Sequence, residues 1–478
     1  MKIKFYWSLF LTAFGLSPVI SFSQSCSTLN ITQQSYIAST CNEMVMTMIH
    51  DELGRSYLYV ANKEAGLKIY DISTIATPSL VATVSTTAFN SLHVMNVSQS
   101  GNYLYLAIGN TFTGAQQGGM AIVDVTIPTA PVVTDFYLVP SSTSGGGIVK
   151  VEGDYAYFGA MKSGLQILDV TNKSDIKFVS QFMPTINWPV SNNPNANLYN
   201  ARGMEVKNSI VYLCFDAGGI RIINCTNKLA PKETGRWCNP VMYKPFDHPK
   251  AYNNIVLDDT LAYVAVDYAG MEVLNISDTS KMKLAGWWNP YNAPSNNWFT
   301  SPVHANEIRY EKNCKRIFMS TGKSDMMVID VANPLKPDSC NYYGGVANNI
   351  GTWGIGMYKS EIYLSYICTA GIPFSSDLTG VKILTYTSCS TGIEELRGDP
   401  INVFPIPATN QLTLEVNSNF NVPRLNVTNI FGQVFSLPCK NFGHSLHLDI
   451  SELSNGYYFI TTAINEKKFT MKFIKYSN

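Results

Sequence analysis

The sequence predicts an all-β protein, a seven-bladed β-propeller followed by a small β-sandwich. Three observations predict it. One short string recurs seven times along residues 66–386, each copy is accompanied by further strand-like runs, and beyond residue 400 the text changes to a different alternating pattern. Composition agrees: of 478 residues, 46% are apolar and only 14% charged, and the 27 Tyr and 33 Gly suit strands joined by many turns. The net charge of zero argues against a nucleic-acid binder or a polybasic membrane-surface protein.

Residues 1–23 read as a secretory signal peptide. Lys2 and Lys4 precede an apolar run to Leu16, and small residues at Ser21 and Ser23 place cleavage before Gln24. A membrane anchor would need about 18 or more apolar residues, so no transmembrane segment is expected. Cys26 could serve as a lipidation cysteine, but Ser23 stands where an aliphatic residue would be expected.

Residues 24–388 form the propeller. The recurring strings are GLKIYDIS, GMAIVDVT, GLQILDVT, GIRIINCT, GMEVLNIS, DMMVIDVA and GVKILTYT. Upstream of each lies a second strand signal, such as SYLYVA or NYLYLA, with a third ahead of that and, for most copies, a fourth downstream. Four short strands per unit of about fifty residues is the signature of a propeller blade. Asp71, Asp124, Asp169, Asn224, Asn275 and Asp330 share one position, spaced 45 to 55 residues apart, and Thr385 departs from it. A short carboxylate or amide there can accept from a backbone N–H two residues on, so a turn role is expected rather than catalysis. The last copy lacks a clear fourth strand. Residues 28–38 have strand character without a blade of their own and are expected to supply it, closing the ring. Ten cysteines without a CxxC pair fit disulfides in an oxidising compartment, and Cys26, Cys41 and Cys389 flank the point of closure, where a bridge among them is expected.

These strings, with ILDV at Ile167 to Val170 and VIDV at Val328 to Val331, resemble the LVIVD family of propeller repeats. The resemblance implies an exported or surface protein and brings no shared catalytic residues. After a polar connector at 389–400, residues 401–478 alternate into strands separated by turns. Phe404-Pro405-Ile406-Pro407-Ala408, the Phe431-Gly432-Gln433 turn, Asn455-Gly456-Tyr457-Tyr458 and the end Lys472-Phe473-Ile474-Lys475 resemble the type A sorting domain of type IX secretion substrates of Bacteroidetes, although Ile406 stands where Asn is common. That resemblance implies handling by the type IX machinery, followed by release or surface attachment. The same sandwich fold could also serve as an accessory binding module.

The connections that lead into the first strands are long and rich in Asn, Pro and Tyr, and Trp188, Trp237, Trp287, Trp288, Trp298 and Trp353 all fall in them on this reading. Flat aromatic faces beside amides suit a glycan or a protein partner, and they suit packing on one another equally well. His93, His248 and His304 lie near starts of first strands but form no close pair, so no metal and no cofactor is expected. Asp216 and Asp267 occupy matching positions after the second strands of the fourth and fifth blades, and with Arg202 and His304 they are the candidates for chemistry. No nucleophile elbow, phosphate loop or HExxH string occurs. The expectation is therefore a recognition module for a glycan or protein ligand, secreted or attached to the outer-membrane surface. The alternatives are a polysaccharide-acting hydrolase or lyase using the same face, and a structural surface-layer component.

Overall fold

In the computed structural model the chain divides into two compact units, Met1–Ser388 and Cys389–Asn478. The structure describes residues 29–109, 117–142, 144–242, 251–290, 304–322, 325–345, 350–368, 376, 378–387, 401–416, 425–429, 432–441, 445–464 and 467–476. The signal-peptide reading at 1–23, the connector at 389–400, and Trp298, His248, Cys26 and Cys389 lie outside these residues.

The first unit contains seven four-stranded antiparallel sheets among the described residues. In the first blade the order is β2 (Thr47–His50), β3 (Tyr57–Asn62), β4 (Gly66–Asp71) and β5 (Ser79–Val84), from the axis outward. The next five blades repeat this order. The seventh is built from β26 (Thr352–Tyr358), β27 (Glu361–Tyr366), β28 (Gly380–Tyr386) and β1 (Ile31–Ala38). β1 pairs antiparallel with β28 from Ile31 opposite Tyr386 to Ala38 opposite Gly380, so the N-terminal strand covers what would be an open sheet edge. The first strands of successive blades pack side by side, and β26 packs against β2, which closes them into a ring around an axial channel.

Alternation puts apolar side chains on both faces of every blade, and each gap between neighbours holds its own core. Tyr59, Ile69 and Leu104 fill the first gap, Tyr212, Ile222 and Val264 the fourth, and Val60, Tyr363 and Ile383 the seam between the seventh blade and the first. Burying each such aliphatic or aromatic side chain contributes about 1.5–3 kcal/mol. The third strand ends in the same turn six times. The side-chain oxygens of Asp71, Asp124, Asp169, Asn224, Asn275 and Asp330 accept from the backbone N–H two residues on, at 2.7–3.0 Å.

A disulfide joins Cys41, ahead of β2, to Cys368, just beyond β27, with the Cα atoms 5.5 Å apart. The bridge expected among Cys26, Cys41 and Cys389 is corrected here for Cys41: its partner belongs to the seventh blade itself, because the turn after β27 reaches back over the seam. Cys314 and Cys340 are also disulfide-bonded. Cys214, Cys225 and Cys238 are buried thiols, and Cys439 is an exposed one.

The second unit is a β-sandwich of two four-stranded sheets, with Leu412, Leu414, Val427, Leu448, Ile460 and Phe473 between them.

Candidate functional site

The channel opens into a pocket of about 490 Å³, counting space open to solvent, at the end where the first strands begin. Its rim takes one equivalent residue from every blade: Met46, Met95, Gly147, Arg202, Asn253, Asn306 and Trp353. Asn96, Asn254 and Glu307, each one residue further in, complete the wall with Gly146 and Met161. The rim is two-sided. Methionines and glycines, with Asn96, line the side of the first three blades, and Arg, Asn, Glu and Trp line the rest.

A backbone device repeats around the rim. The turn after a second strand presents a carbonyl to the N–H just ahead of the rim residue of the next blade: Lys63 to Val94, Met161 to Ala201, Asp216 to Tyr252 and Gly322 to Thr352, at 2.9–3.3 Å. Each of these turn residues has positive φ, between 25° and 60°, a conformation that short polar residues such as Asp216 adopt at modest cost. The rim residues therefore sit on fixed backbone. Two asparagines extend the clamp with side chains, Asn253 Nδ2 donating to Ala305 O and Asn306 Nδ2 to Thr352 O, both at 2.7 Å.

The four residues singled out for chemistry all sit at this end of the channel, in two pairs. Arg202 Nη1 lies 3.7 Å from Asp216 Oδ1, and Asn200 donates to Asp216 Oδ2 at 2.7 Å. Burial pushes the Asp216 carboxyl up to about 6; Arg202 and Asn200 pull it back, and the Asp267 charge adds to the rise. In the second pair, His304 Nε2 lies 2.6 Å from Asp267 Oδ1, its Nδ1 faces Asn306 Oδ1 at 2.8 Å, and Tyr268 packs edge-on against its ring. His304 thus couples the fifth blade to the rim of the sixth. Burial also raises the Glu307 carboxyl, against the pull of Arg309.

Three of the tryptophans fall elsewhere than expected. Among the described residues only Trp353 reaches the rim, where the Arg202 guanidinium, from the fourth blade, lies over it with its carbon 4.9 Å from the ring centroid. Trp237 ends the outer strand β17 (Lys232–Trp237), and Trp287 and Trp288 end β21 (Lys283–Trp288), so these three belong to fourth strands rather than to the connections. Trp237 Nε1 donates to Glu272 and Trp287 Nε1 to Ala269 O, both at 2.8 Å, while Trp288 packs in the core between the fifth and sixth blades. Trp188 lies in a connection, under the guanidinium groups of Arg221 and Arg236. Arg221 is fully buried and donates to Thr185 O, Trp188 O and Gly218 O. Asn253, Asn306, Glu307 and the three methionines went unremarked in the sequence. Aligning the residues where each first strand begins would have found all of them but Met161, which follows a second strand.

Among the described residues no group of three His, Cys, Asp or Glu is placed to hold a metal, and no helix is long and apolar enough to cross a membrane.

Comparison with known proteins fits this architecture. The LVIVD repeat family matches residues 55–86, 93–139, 147–183 and 253–289, and the secretion system C-terminal sorting domain family matches 402–476. The chain is similar in fold to the WD40 repeats of RRP9, at 8% identity and a TM-score of 0.52, covering 76% of this chain and 98% of that one. It is equally similar to U3-55K, at 8% identity and a TM-score of 0.50, covering 76% and 99%. No curated protein matches it. The class is thus an exported β-propeller module. In particular, the chain carries LVIVD repeats and a type IX secretion sorting domain, which indicates delivery to the cell surface or the medium.

Proposed function

We propose that the protein is a recognition module that binds a glycan at the mouth of the propeller channel, after export guided by residues 401–478. The observation that carries this reading is the two-sided rim. Methionines on one side suit the C–H faces of a sugar ring, and amides, charges and Trp353 on the other suit its hydroxyls. Asn253, on the rim, has a side-chain oxygen without a hydrogen-bond donor, which a bound hydroxyl would supply. A glycan array probed with the mature chain tests it. A subset of glycans should bind, and Trp353→Ala should weaken them at least tenfold while Asp169→Asn, on the outer turn, leaves them unchanged. A silent array, or binding indifferent to Trp353, would sink the reading.

A second reading, hydrolysis or elimination of a polysaccharide, is favoured by one observation: a buried carboxyl at about 6 beside a second carboxylate is suited to acid–base work. New reducing or unsaturated ends that appear with the wild-type chain and vanish in Asp216→Asn would replace recognition by catalysis.

A further inference from the structure

We infer that the glycan carries a carboxylate on a sugar ring and that Arg202 is the group that takes it, so that the ligand class is a uronate-containing glycan. This rests on the glycan reading above and narrows it.

Arg202 carries the argument. Its side chain is 23% exposed, yet among the described residues its guanidinium makes no hydrogen bond. The nearest carboxylate oxygen, Asp216 Oδ1, stands at 3.7 Å, beyond hydrogen-bond distance; the Glu307 carboxylate feels its charge from across the pocket, and the guanidinium lies over the face of Trp353. Other arginines of the propeller are treated differently. Arg55 donates to Asp51 at 2.6 and 2.8 Å and to Tyr59 and Thr126 O, and Arg221 donates to three carbonyls and Glu233. A guanidinium has five N–H donors in a planar fork that matches a carboxylate in two parallel bonds. Lying over the Trp353 ring and largely covered, the Arg202 fork is held in place with its donors unspent.

The rim supplies the other half of the specification. Asn253, beside Arg202's partner Asp216 because Asp216 pairs through its backbone with Tyr252, lines the pocket, and its Oδ1 receives no hydrogen bond. A ligand that satisfies the mouth must bring an anionic acceptor for Arg202 and hydroxyls for the rim amides. It must also present an apolar face to Met46, Met95 and Met161. A pyranose with a carboxylate on the ring carries all three. A neutral sugar leaves Arg202 unmatched, and a simple anion leaves the amides and the methionine wall unused.

The test uses the mature full-length chain and isothermal titration calorimetry with oligogalacturonate, oligomannuronate and oligoglucuronate, each beside its carboxyl-reduced counterpart, with a sulfated neutral glycan and an acidic peptide as further probes. At least one oligouronate should bind at least tenfold more tightly than its reduced counterpart. Arg202→Gln should remove that difference, and Arg202→Lys, which keeps the charge but loses the fork, should retain part of it. Asn253→Ala should weaken acid and reduced forms alike. If reduced and acid forms bind equally, or the sulfated glycan binds best, the carboxylate assignment falls while glycan recognition stands. If only the peptide binds, or nothing does, the glycan reading falls as well. Should Arg202→Gln fail to fold, the ligand pairs on the wild-type and Arg202→Lys chains decide the matter.

Discussion

Two positions of the same repeat behave in opposite ways. At the end of the third strand six blades carry Asp or Asn and make one identical turn contact. Where the first strand begins, the seven blades carry Met, Met, Gly, Arg, Asn, Asn and Trp. Carboxyls in the third-strand turn and in the turn that supports the rim are also displaced in opposite directions. The amide of Ser73 holds Asp71, and the hydroxyl and amide of Thr171 hold Asp169, below the usual carboxylate range, whereas burial drives Asp216 upward. Where every blade needs the same turn, the residue is fixed by backbone hydrogen bonding. Where each blade contributes one wall of a single pocket, sameness has no structural use, and Asp216, in the turn that supports the rim, is kept at a cost in stability.

The largest effect should come from breaking the uniform position everywhere. Replacing all six turn residues by Ala removes separate, non-interacting contacts, so the loss should accumulate to on the order of 6 kcal/mol in chemical denaturation. A much smaller total would mean the turns are held by their strands and not by their side chains. Next comes Asp216→Asn at the mouth. The unfolded carboxyl titrates near 3.8 and the folded one near 6. Between those values the folded chain holds a proton that the unfolded chain has released, so stability falls as pH rises through this window and the cost is complete above it. The variant should therefore be more stable than wild type above about pH 6, by up to about 3 kcal/mol, with the gap closing toward pH 4. Equal stability at every pH would refute the cost assigned to this carboxyl. The smallest effect distinguishes the two positions most sharply: Asp169→Ala should lower stability by about 1 kcal/mol, while Asp169→Asn should change it by a few tenths, since Asn accepts the same bond.

Much of the scaffold was legible because repetition displays it. A strand string seen seven times needs no long-range information, and the Asx turn follows from side-chain length alone. The site was half legible. Asp216 and Asp267 stood out because two blades matched at an otherwise variable position, and Arg202 and His304 because charge is scarce in this chain. The tryptophans misled because an aromatic near a strand end reads as a loop residue. Whether Trp287 is turned to the mouth or bonded to Ala269 O depends on where β21 stops, and side-chain packing between blades settles that. Asn253 and Asn306 were silent for the opposite reason: asparagine is common in the connections, and only the fold reveals which ones face the axis.

The closing strand has a further consequence. Because Ile31 lies opposite Tyr386 and the Thr387 N–H bonds to Asn30 O, both ends of the ring leave from one corner of one blade. All strands of the first unit are complete by Tyr386, before the second unit begins. A cut in residues 388–400 therefore takes no strand from the ring and opens no new edge. The address label can be torn off the parcel without breaking its seal, and the Cys41–Cys368 bridge keeps that seal tied after the label has gone.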